Sequence, residues 1–157
     1  MKLKSIVEED FINYKKPSMF LIFPTCTFKC CLEYGCDVCQ NMEISNLPDI
    51  EVKPQDLVDR YMNNSITKSV VCGGLEPFDS FRDLMNFVYH LRKRSNDDIV
   101  IYTGYEEYEI EDKLEELRNY KNIIVKFGRF IPDSEHRFDD VLGVELASNN
   151  QYAKQLY

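Results

Sequence analysis

The sequence predicts an α/β fold, a compact partial (β/α) barrel of mostly parallel strands covered by helices. Three observations lead there. Four short apolar runs, residues 18–23, 69–72, 99–102 and 123–127, have the length of buried strands rather than of helices. Amphipathic helical stretches separate them, and strand–helix–strand alternation is the mark of parallel βαβ units with helices over the sheet. At 157 residues the chain is too short for eight such units, so the barrel is expected to be partial.

Each element has its own reason. Ser18 to Phe23 (SMFLIF) is uniformly apolar after its first residue and stops at Pro24, which cannot continue a central strand. A loop rich in cysteine follows, through about Pro48. Pro54 suits a first helical turn, and Leu57, Val58 and Tyr61 repeat at helical spacing through Met62. Ser69 to Cys72 is a second strand, ended by Gly73-Gly74. Asp79 or Ser80 is placed to cap a helix running to about Arg94, with Phe81, Leu84, Phe87, Val88 and Leu91 on one stripe. Asn96-Asp97-Asp98 forms a turn before the third strand, Ile99 to Tyr102. A helix is expected over Tyr108 to Leu117 and a fourth strand over Ile123 to Phe127. No repeat, low-complexity tract or linker interrupts this order. A single domain over 1–157 is therefore expected, with its cysteine loop at 24–41.

Composition narrows the function. The net charge of −8 repels phosphate backbones, so nucleic acid is not an expected partner. No run of eighteen apolar residues exists, and MKLKSIVEEDF places acids where an export signal needs an apolar stretch. A soluble cytoplasmic protein with no membrane partner is the expectation. Five of the six cysteines, Cys26, Cys30, Cys31, Cys36 and Cys39, fall within fourteen residues. In a reducing compartment that clustering favours a metal site over disulfides. The sixth, Cys72, sits in the run SVVC and reads as a small core residue.

In parallel α/β architectures ligands bind beyond the carboxyl ends of the strands. Those ends carry the cysteine loop, Gly73-Gly74-Leu75-Glu76-Pro77, Thr103-Gly104-Tyr105 and Gly128-Arg129-Phe130. All fall on one rim, which points to one site. The loop itself allows two metals. Zinc would take Cys26, Cys30, Cys36 and Cys39 in a closed set of four thiolates. A four-iron cluster takes only three, leaving one iron open. Five free thiols are the third reading, and spacing alone leaves all three open.

The rim segments together resemble the radical S-adenosylmethionine enzymes, most closely the small activating proteins of anaerobic ribonucleotide reductase. Cys26-x3-Cys30 after a strand, with Cys39-Gln40-Asn41 further on, is similar to that family's C-x3-C-x2-C loop and its C-x-N continuation. The alignment makes the loop C-x3-C-x8-C, longer than the family pattern, and keeps Cys36 as the rival third ligand. Gly73 to Pro77 resembles the Gly-Gly-Glu-Pro segment with Leu75 added. Ile101 to Tyr105 (IYTGY) matches the activators almost letter for letter. Gly128-Arg129-Phe130 resembles their Gly-Arg-Phe/Tyr segment, and Leu146 to Gln151 their Gly-Ser-x-Asn-Gln segment. Asn13 to Pro17 echoes an Asn-Gly-Pro-Gly stretch without its glycines.

The resemblance implies a [4Fe-4S] cluster on Cys26, Cys30 and Cys39 and reductive cleavage of S-adenosylmethionine to a 5′-deoxyadenosyl radical. It places Val38 near the adenine, Gly73, Gly74 and Glu76 on the amino group, and Thr103 and Tyr105 on ribose or carboxylate. Arg129 is a candidate for the carboxylate, with a surface ion pair as the alternative. The implied partners are the large subunit of anaerobic ribonucleoside-triphosphate reductase, which would receive a glycyl radical, and an electron donor such as flavodoxin or ferredoxin. A radical enzyme for another protein or small molecule, or a zinc-stabilised interaction module, remains open. His90, His136 and the acidic run Glu106 to Glu116 read as structural or solvated.

Overall fold

Alternation of side chains along the four apolar strands decides how the sheet is covered. The computed structural model describes residues 1–35 and 38–157; Cys36, the rival ligand, lies outside the described residues. In chain order the elements are β1 (Lys2–Leu3), β2 (Ser5–Asp10), β3 (Ser18–Ile22), α1 (Lys29–Tyr34), α2 (Met42–Ser45), β4 (Ile50–Glu51), α3 (Pro54–Asn63) and β5 (Ser69–Gly73). A 3₁₀ turn at Pro77–Ser80 leads into α4 (Phe81–Arg92). Then come β6 (Asp98–Tyr102), a second 3₁₀ turn at Glu107–Glu109, α5 (Glu111–Leu117), β7 (Ile123–Phe127), β8 (Arg137–Asp139), β9 (Val144–Leu146) and β10 (Tyr152–Gln155).

The main sheet has six strands in the order β10-β7-β6-β5-β3-β2, with β3, β5, β6 and β7 parallel and the two edge strands antiparallel. Successive parallel strands are neighbours, so each crossover advances in one direction and its helices gather on one face. Met19, Leu21, Val70, Cys72, Ile99, Ile101, Ile123 and Val125 point to that face. They pack against Leu57 and Val58 of α3, Leu84, Phe87, Val88 and Leu91 of α4, and Leu114 and Leu117 of α5. Each large side chain buried here contributes about 1.5–3 kcal/mol. The opposite face carries Phe20, Val71, Val100, Tyr102 and Ile124, and is only partly covered, by Tyr14, Leu142 and Leu146. The uncovered part is where a ligand can enter.

The four predicted strands and three crossover helices are present within a few residues of their expected bounds. The edges β2 and β10 do not pair with one another, so the hydrogen-bonded sheet is open. The α4 start differs in an informative way. Ser80 occupies the N-cap yet makes no capping bond with its side chain. Ser80 Oγ meets Thr25 Oγ1 at 3.1 Å and Asp79 accepts from the Thr27 amide at 2.8 Å. Both expected caps are turned toward the cysteine loop. The third helix begins later than expected because Glu106 and Glu109 form a capping box around the 3₁₀ turn, leaving Tyr108 81% exposed. The described residues contain no helix long and apolar enough to cross a membrane.

Gly74 follows the last residue of β5 with φ of 80°, and a Cβ there would lie 2.5 Å from Ile22 Cγ2. Gly74→Ala is expected to cost about 2–4 kcal/mol through strain and overpacking, measured by chemical denaturation.

Candidate metal centre

At the carboxyl ends of β3, β5, β6 and β7 the partly covered face opens into a cleft of about 370 Å³. Cys26, Cys30 and Cys39 line one side of it. Phe20, Val71 and Tyr102 form its floor, and Ile12 and Leu146 contribute a further apolar wall. The Tyr102 hydroxyl donates to the Asn13 carbonyl at 2.7 Å, fixing that wall to the floor. Cys31 is only 5% exposed and is not part of the lining, and Cys72 is buried beneath the helices.

The first two cysteines are held from several sides. Thr25 offers its carbonyl to the Glu76 amide at 2.8 Å, and Asp79 holds the Thr27 amide. Phe28, the N-cap of α1, adopts φ 54° and ψ 40°, and its amide donates to Cys26 Sγ at 3.2 Å. From α1, Lys29 pairs with Glu109 at 3.1 Å and Glu33 with Arg129 at 3.1 Å. Burial pushes the Cys26 thiol up to about 12, and the Phe28 hydrogen bond opposes this. Burial likewise raises the Cys39 thiol, opposed by the Asn41 amide and reinforced by the sulfurs of Cys31 and Cys30. Metal binding at these sulfurs must displace protons.

A family model described as a 4Fe-4S single cluster domain matches residues 18–152. The chain belongs to this family. No curated protein and no solved structure matches it. Thiolates are the donors that an iron–sulfur cluster takes, and Cys26, Cys30 and Cys39 in one cleft are the residues that could hold one. Among the described residues no three His, Cys, Asp or Glu side chains converge on a single ion.

Beside the thiols, the 4Fe-4S domain places two opposite charges. Glu76 is 6% exposed. Its Oε1 accepts from Thr103 Oγ1 at 2.8 Å and the Phe78 amide at 3.1 Å, and its Oε2 from the Gly104 amide at 2.9 Å. Burial outweighs these bonds and lifts its carboxyl to about 7. Lys126, also 6% exposed, donates to the carbonyls of Gly128 at 3.2 Å and Thr103 at 3.4 Å. Burial lowers its ammonium to about 8, opposed by Glu76, Cys30 and Glu106. Gly104 separates a thiol from the acid: a Cβ there would stand 3.6 Å from Cys30 Sγ and 3.8 Å from Glu76 Oε2.

Of the residues singled out in the sequence, Cys26, Cys30, Cys39, Gly74, Glu76 and Thr103 meet at this cleft. Gly73 lies just behind it, where a Cβ would press on Tyr102 and Phe20. Val38 is not part of the lining. Tyr105 is engaged elsewhere, its hydroxyl donating to Asp79 at 2.6 Å. Arg129 is not free for a ligand carboxylate. It grips Glu109 through two nitrogens at 2.6 and 2.8 Å and donates to the Gly104 carbonyl at 2.6 Å, and Glu109 foremost holds its charge in place. Arg129 therefore forms an ion pair, as the alternative reading had it, but a largely buried one rather than one on the surface. Lys126 is the residue that sequence reasoning missed. Its signal was present: in the run IIVKF it is the charged member of a buried strand, and alternation places it with Ile124 on the cleft face.

Proposed function

We propose that this chain is an iron–sulfur radical enzyme that reductively cleaves S-adenosylmethionine to a 5′-deoxyadenosyl radical. Its match to an iron–sulfur family found in radical S-adenosylmethionine-type proteins supports the class. The observation that carries the substrate is the pair of buried, opposite charges on either side of Thr103, next to three thiols. A carboxylate and an ammonium set apart in one cleft are complementary to an α-amino acid zwitterion.

In this reading Cys26, Cys30 and Cys39 hold the cluster, which when bound supplies the electron that splits the sulfonium carbon–sulfur bond. Glu76 receives the amino group, its orientation fixed by the Phe78 and Gly104 amides and the Thr103 hydroxyl. Lys126 receives the carboxylate in the role first given to Arg129. The apolar floor of Phe20, Val71 and Tyr102, with Leu146, limits water at the reacting bond. A cleft of about 370 Å³ lies at the small end for ligand sites, room for one cofactor-sized molecule. The radical acceptor would then come from outside the chain. We assign that role to a glycine loop of the anaerobic ribonucleoside-triphosphate reductase large subunit, with a flavodoxin or ferredoxin as electron donor.

The test is direct. Protein purified without oxygen, reconstituted with iron and sulfide and reduced by dithionite is expected to form 5′-deoxyadenosine from S-adenosylmethionine. With the purified reductase subunit added, a glycyl radical signal should appear in its electron paramagnetic resonance spectrum. Stoichiometric zinc with no iron uptake and no 5′-deoxyadenosine would sink the proposal.

A further inference from the structure

The turn between the first two cysteines carries strain that thiol spacing does not require. Phe28 lies in the left-handed region, which a residue with a Cβ adopts only when its surroundings enforce it. The turn aims the Phe28 amide at Cys26 Sγ, 3.2 Å away. Both neighbours of Phe28 are pinned. On one side Asp79 accepts the Thr27 amide at 2.8 Å with one oxygen and the Tyr105 hydroxyl at 2.6 Å with the other. On the other side Lys29 pairs with Glu109 and stands 4.7 Å over the Tyr105 ring.

We propose that Asp79 is a positioning residue that holds Phe28 in this turn through Thr27, keeps its amide on the Cys26 sulfur, and so sets the reduction potential of the cluster. This rests on Cys26 being a cluster ligand, as in the proposed function. Hydrogen bonds to ligand sulfurs stabilise the more negative, reduced cluster and raise its potential. The negative charge of Asp79 acts in the opposite sense. Aspartate offers two acceptors at short reach, so it can bind Thr27 and Tyr105 at once. Asparagine keeps the Thr27 bond and can turn its amide donor to the Tyr105 oxygen, losing the charge alone.

The variants D79N, D79A and D79A/F28G separate these effects. Glycine occupies the left-handed turn without enforcement, so F28G should restore what D79A releases. In iron-free protein, amide exchange followed by nuclear magnetic resonance is expected to be at least tenfold faster at Thr27 and Phe28 in D79A than in wild type, and unchanged in D79N. In reconstituted protein, redox titration followed by electron paramagnetic resonance should place D79N above wild type and D79A below D79N. D79A/F28G should return to the D79N potential. Equal potentials for D79A and D79N would overturn the proposal, as would unaltered exchange at Thr27 in D79A. A wild-type protein that holds the cluster but cleaves no S-adenosylmethionine would defeat the proposed function alone, since the potentials remain measurable. Failure of the wild type to take up any cluster would defeat both.

Discussion

Cys26→Ala, Cys30→Ala and Cys39→Ala are each expected to abolish assembly of a four-iron cluster, whereas Cys31→Ala retains it. The difference follows from placement. The first three line one cleft beside Glu76 and Lys126; Cys31 is buried outside that lining. Removing one of three thiolates leaves an iron of the cube without its protein anchor, and two remaining ligands do not hold it. Iron per chain should fall from about four to below one in the three variants and stay near wild type in Cys31→Ala. Ultraviolet–visible absorption and iron analysis after anaerobic reconstitution measure this. Cys36→Ala is the discriminating companion, because Cys36 lies outside the described residues. Cluster loss in Cys36→Ala together with retention in Cys39→Ala would reassign the third ligand.

The parallel strands were legible because they are buried on both faces and read as short apolar runs. Ser69–Gly73 and Ile123–Phe127 are buried at every position. The edge strand Ser5–Asp10 was not legible. Three of its six residues are acidic, Val7, Glu8 and Glu9 are exposed, and such a strand declares itself only by pairing with β3. At the site, glycine–acid and cysteine spacings revealed the groups that chain order places at strand ends. Spacing did not reveal which charges would be neutralised by neighbours. Arg129 and Lys126 lie three residues apart and look alike in sequence. Only the fold brings Glu109 and Glu33 to Arg129, while Lys126 receives backbone carbonyls instead of a carboxylate. Asp79 was read as a helix cap because its position suits one. Its diversion to Thr27 and Tyr105 depends on contacts 52 and 26 residues away in the chain.

That difference between the two cations makes Lys126→Met the most damaging change expected for S-adenosylmethionine binding with the cluster intact. Truncating one partner of a buried charge pair costs about 2–5 kcal/mol, so affinity should weaken by roughly 30-fold or more. In the empty protein methionine removes the desolvation cost of a buried ammonium and also the opposite charge that faces Glu76. The pH dependence follows from the same two groups. Glu76 titrates near 7 and must be ionised to receive an ammonium, so binding strengthens as pH rises through about 7. Lys126 titrates near 8 and must be protonated to receive a carboxylate, so binding weakens above about 8. For folding the signs reverse. The raised Glu76 value gives the empty protein stability that is full below 4.5 and lost as pH climbs through about 7. The lowered Lys126 value withholds stability below about 8 and returns it toward 10.5. These two groups thus subtract most from stability between about 7 and 8, where both charges are present and a zwitterion relieves both. Equilibrium dialysis of S-adenosylmethionine from pH 6 to 9 should give a bell in wild type. Lys126→Met should bind weakly throughout and lose the upper limb. A flat wild-type profile, or wild-type affinity in Lys126→Met, would remove Glu76 and Lys126 from the binding role.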